Sequence, residues 1–288
     1  MRHPYLPPPY PPPPERSAEL RRRFAEEVRA ERPDLSALCL LIGAGADGSL
    51  DDAGIDAAQA ELDRLAGELP YRPGGPRAWA EATRRLLGDR CGFHGTPGDY
   101  QRLESSLLHE VLGRRRGLPI LLSVVWLEVA RRAGAPVYGV ALPGHFVVGF
   151  GPAADRVLAD PFDGGRVLTG TDAELLVVSA TGAPPDPSVL EPAPPLEVVQ
   201  RVLNNMRAWA AARPERSDVG LLAVELALLI PSHPARLRYE RGQLLVQRGQ
   251  FVAGAEELET YADLIEVVDE EAARKIRQEA GTARAKLN

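Results

Sequence analysis

His145 and Asp160 are the pair of residues in this 288-residue chain whose types suit joint chemistry. An imidazole exchanges protons near neutral pH, and a carboxylate beside it fixes which ring nitrogen carries the hydrogen. The two stand in neighbouring β-rich runs, residues 145–150 and 156–160. A hairpin closed through 150–155 with Gly149 opposite Arg156 sets His145 directly opposite Asp160, whereas a slip of one residue sends them to opposite faces. Taken singly, His145 reads as a satisfied strand histidine and Asp160, before Pro161, as a turn cap.

A dyad needs something to activate. Ser123 is the hydroxyl inside the apolar run 120–127, roughly 6 Å past Pro119 by helical rise. In an apolar helix such a hydroxyl is expected to bond back to its own backbone. The cysteines, Cys39 and Cys91, form no disulfide framework and fit a reducing cytoplasm; Cys91 reads as an inert thiol, although its loop could reach the same cleft. His94 has no second His or Cys at ligand spacing. The acids of 47–56 miss the calcium-loop spacing and predict a capped loop. No metal and no cofactor is implied.

The elements that must position this pair follow from pattern. The apolar run 120–127 is continued by a pattern through Arg131 and Arg132, too long for a strand, which predicts a buried helix over 119–133. Proline suits its first position, and Arg131 and Arg132 suit its negative end. Pro143 and Gly144 fit a type II turn, so residues 137–142, 145–150 and 156–160 predict antiparallel neighbours. Ser105 or Ser106 is expected to cap a short helix through Leu112, ended by Arg114, Arg115 and Arg116 as a solvated turn or, alternatively, a site for an acidic partner.

The run GRRRGLPILLSVVWLEVARRAGAPVYGVALPGHFVVGF, followed by LADPFDGG, resembles the transglutaminase-like core of bacterial SirB-type proteins. The likeness includes CGFHGTPGDY upstream and covers roughly residues 75–270. It implies an α+β, papain-like transglutaminase fold: a helical layer plus a small antiparallel sheet, then a tetratricopeptide-like tail. In that fold a cysteine at the start of the core helix works with a histidine and an aspartate on adjacent strands. The histidine falls on His145, the aspartate on Asp160 and the cysteine on Pro119. Proline carries no nucleophile, which points to a non-catalytic protein-interaction or regulatory module. The alternative is a hydrolase or acyl-transfer enzyme using the dyad with water or a nonstandard nucleophile.

A formal charge of −6 and pI near 5.5 argue against general nucleic-acid binding, and no apolar stretch approaches a membrane span. Residues 1–14 predict an extended, disordered Pro and Tyr tail, and 15–183 the transglutaminase-like domain. The Pro-rich 184–195 predicts a linker, with helices throughout 196–288. Small residues recur there at an offset of 34, the period of tetratricopeptide repeats. Two repeats and a final helix are too few to stand alone, so this tail is expected to lean on the first domain or on a protein or peptide partner. The sequence carries no signal of oligomeric state.

Overall fold

The computed structural model describes residues 9–71, 74–184 and 186–286. Its first layer is helical: α1 (Pro14–Glu27), α2 (Leu35–Ala46), α3 (Asp52–Gly67) and α4 (Pro76–Thr83), the last continued by a π-helical turn, Arg84–Arg90. Asp34 and Asp51 cap α2 and α3 by accepting from Ala37 N and Gly54 N, both at 2.8 Å. The acid-rich stretch is therefore a capped loop, as its spacing predicts. Residues 9–13 depart from the expected loose tail. Pro9 and Pro12 are buried, Tyr10 O accepts from Gly48 N, and Pro9 O accepts from Arg216; residues 1–8 lie outside the described chain.

Next come α5 (Leu108–Arg114) and α6 (Pro119–Arg132). Pro119 opens α6, where its missing N–H removes no helical bond, and every residue from Pro119 to Ala130 is buried. The serines do not cap α5. They sit in a 3₁₀ turn, Leu103–Ser106, and the extended Leu107 that follows leaves them out of capping position, so Ser105 donates to Asp99 instead.

The sheet comprises β1 (Val137–Val140), β2 (Val147–Phe150), β3 (Val157–Asp160), β4 (Arg166–Leu168) and β5 (Pro192–Ala193), all antiparallel in the order β4-β3-β2-β1-β5. Helix α7 (Gly170–Thr181) starts from a capping box between Thr169 and Asp172. Side chains alternate across the sheet. Val148, Phe150 and Ala159 join the core around α6, while Val140, Val147, Leu158 and Leu168 pack with Ala173 and Val177 of α7.

Five helices complete the chain: α8 (Pro195–Ala211), α9 (Ser217–Leu229), α10 (Arg236–Gln247), α11 (Phe251–Ile265) and α12 (Glu270–Ala285), each packed on the next. The small residues at 34-residue spacing mark close approach: a Cβ on Gly254 would stand 2.9 Å from the Gly242 carbonyl of α10.

Residues 186–195 do more than link. Ala193 and Pro192 pair with Gly139 and Val140 at the sheet edge, the place where a strand tolerates proline. Beyond them Val198, Val199, Val202, Leu203 and Met206 of α8 belong to the same buried cluster as α1, α2 and α6. One apolar core thus continues across the segment into α9, and in the repeat region a separate cluster forms around α11 and α12. The repeat helices lean on the first domain through α8 and α9.

Candidate functional site

His145 sits at the end of a tight turn. Its N–H closes the turn to Leu142 O at 3.2 Å, and Gly144 takes φ 69°, the positive value the Pro-Gly pair predicts. The ladder pairs Val148 with Ala159 and Gly149 with Leu158, not Gly149 with Arg156. The register therefore differs by two residues from the one expected, and His145 precedes β2 rather than lying within it. An even offset keeps parity, so the two side chains remain on one side and meet diagonally: His145 Nε2 lies 2.9 Å from Asp160 Oδ2.

Asp160 is buried, and both its oxygens are engaged, Oδ1 accepting from Phe162 N at 3.0 Å. With the carboxylate accepting from Nε2–H, the lone pair falls on Nδ1, which has no hydrogen-bond partner among the described residues. Phe162 stacks edge-on against the His145 ring at 6.0 Å, and Tyr100 against Phe162 at 6.2 Å. Partial burial and the Asp160 charge push the Tyr100 hydroxyl above its ordinary value. Gly95 permits this wall: a Cβ there would meet the Phe162 ring at 2.0 Å.

Among the described residues, none of the expected nucleophile positions makes a hydrogen bond to the side chains of this pair. Pro119 is buried at the start of α6. Ser123 does not bond back to its own helix as expected; its hydroxyl donates across to Phe146 O at 3.2 Å, because the turn that ends in His145 sets the following carbonyl against α6. Cys39 is fully buried in α2, and burial pushes its thiol far up. Cys91 is half-buried, with Arg64 of α3 as the charged neighbour of its thiol. The arginine turn is not a freely solvated one. Arg115 pairs with Glu61 at 2.7 Å, and Arg116 bonds to Thr96 and Asp99, fixing the loop that carries Tyr100.

Arg201 was not among the residues the sequence singled out. From α8 its Nη2 donates to Leu142 O at 2.9 Å and His145 O at 3.0 Å, the two ends of the turn. The available signal was a cation flanking the apolar stripe Val198, Val199, Val202.

Residues 56–204 match the Transglutaminase-like superfamily and residues 206–287 a Tetratricopeptide repeat. A UPF0162 protein of Xylella fastidiosa is 36% identical over 192 residues, 64% of this chain and 66% of that protein, so the match spans just under two thirds of the relative. F-box only protein 21 of Homo sapiens is 26% identical over 197 residues, 66% of this chain and 30% of that protein. No helix among the described residues is long and apolar enough to cross a membrane. With a match over half its length, this chain belongs to the transglutaminase-like superfamily and carries tetratricopeptide repeats behind that core.

Proposed function

We propose that this chain is a SirB-type protein-interaction or regulatory module whose transglutaminase-like site lacks thiol chemistry. The observation that carries this reading is Pro119: the helix start that would favour a thiolate holds a buried ring without a nucleophile. Binding falls to the repeats. Helices α8, α9 and α10 enclose a groove of about 830 Å³ with Asn204, Arg207, Gln243 and Gln247 on its walls and Val224 and Leu244 among its apolar groups. Amides beside apolar surface, with Arg207 paired to Glu240 on the same wall, suit an extended peptide, whose backbone needs hydrogen bonds and whose side chains need burial.

The test is a panel of electrophilic thiol- and hydroxyl-reactive probes, with adducts located by mass spectrometry. Labelling confined to Cys91 is the expected result; an adduct that disappears in His145→Ala refutes the reading.

A second reading rests on the free Nδ1 of His145. A carboxylate-oriented imidazole with an open lone pair can serve as general base toward water, which makes the site hydrolytic. Hydrolysis of ester or amide substrates by the purified protein, abolished by His145→Ala, establishes this alternative and removes the first.

A further inference from the structure

We infer that α8 is part of the candidate site's construction, with Arg201 as the positioning residue for His145. This deepens the reading above, in that it rests on the His145–Asp160 pair being the inherited site. It requires neither a partner nor an activity.

Three features converge on α8. A single guanidinium nitrogen, Nη2 of Arg201, bonds the carbonyls at both ends of the turn that ends in His145. The same guanidinium lies over the Phe146 ring at 5.4 Å, and burial lowers its pKa from the ordinary value, so this cation is held in the fold rather than in water. Two turns further along, Trp209 Nε1 and Arg213, which follows the end of α8, donate to Gln101 O, at 3.0 and 3.3 Å. Gln101 follows Tyr100, whose ring abuts Phe162 and through it His145. One helix from beyond the Pro-rich segment therefore grips the loops on both sides of the dyad.

The physical consequence is specific. Without Arg201, His145 O would have no partner among the described residues and the backbone of residue 145 would be tied only by its own N–H to Leu142 O, which leaves His145 room to rotate away from Asp160. A cation bridging Leu142 O and His145 O closes that freedom, and charge-assisted bonds are about twice as strong as neutral ones. Further residues of α8, Asn204, Arg207, Ala208, Ala210 and Ala211, line the repeat groove. Groove and site thus share one rigid element.

The experiment is ¹⁵N NMR of the histidine side chains in the full-length protein, comparing wild type with Arg201→Met, Arg201→Gln and Arg201→Lys. Wild-type His145 should show widely separated nitrogen shifts, those of a fixed Nε2–H tautomer bonded to Asp160. Arg201→Met keeps the contact with Phe146 but no donor, and Arg201→Gln is too short to span both carbonyls. In both, the two His145 shifts should move toward each other as the tautomers average, while exposed His94 stays unchanged. Arg201→Lys should restore the wild-type pattern, because one ammonium can make the two bonds that one Nη2 makes. Wild-type shifts in a folded Met or Gln variant overturn the proposal. So does failure of both variants to fold, which assigns Arg201 to the core instead. Because nothing in the readout depends on catalysis or on a bound partner, a negative result leaves the interaction reading standing.

Discussion

Leu203→Ala should weaken the transglutaminase-like core although residue 203 lies beyond the Pro-rich segment. Leu203 is fully buried in the cluster that also holds Val124 and Trp126 of α6 and Phe24 of α1. Removing a buried leucine side chain costs about 2 to 5 kcal/mol, the lost transfer energy plus the cavity left behind. At roughly 1.4 kcal/mol per factor of ten, the slowest-exchanging amides should accelerate by about 30- to 4,000-fold. Native-state hydrogen exchange with mass spectrometry reads this separately for peptides from α6 and from α8. If one core spans both, the two sets accelerate together. Acceleration of α8 and α9 with α6 unchanged would show two independently folding units and refute the reasoning from the shared cluster.

Further outcomes follow from single groups. Val124→Asp places an unpaired charge among fully buried neighbours of α6, a penalty of several kcal/mol against the ~5 to 15 that hold a domain, so cooperative thermal unfolding should be lost; an unchanged melting curve would place α6 at the surface. Iodoacetamide should label native Cys91 well before Cys39, whose buried thiol resists ionisation, and equal rates by peptide mapping would contradict that burial. Glu61 is held at about 2 by bonds from Arg64 and Arg115. Since this folded value lies below the unfolded 4.5, its stabilisation is complete above 4.5 and fades as pH falls through 2. Glu61→Gln should accordingly lower the melting temperature at pH 7 and make little difference near pH 2; an equal gap at both pH values would exclude the ion pairs as the cause.

Local physics made much of this molecule legible. The continuous apolar run after Pro119 specifies a buried helix because no face of it could remain in water, and α6 is buried from Pro119 to Ala130. The Pro143-Gly144 turn followed from backbone preference alone. The repeat helices followed from small residues at fixed spacing, which close helix contacts require. Even the dyad survived a wrong register, since an error of two residues preserves the side on which a strand projects its side chains.

What the chain could not announce depends on partners distant in sequence. Strands of two and three residues such as β5 and β4 carry too few positions to show an alternating pattern, and their pairing is set by the neighbours they dock against. Proline-rich composition marked 184–195 as irregular, but whether the flanking cores stay apart is decided by the apolar stripe of α8 finding α2 and α6. Ser123 and Arg201 acquire their roles only when the turn ending in His145 offers them its carbonyls, 23 and 56 to 59 residues away along the chain. The sequence by itself determined which groups could form the site and that Pro119 stands at the start of its core helix. Only the tertiary structure decided what holds those groups in place, because a hydrogen bond between distant segments leaves no periodicity in either one.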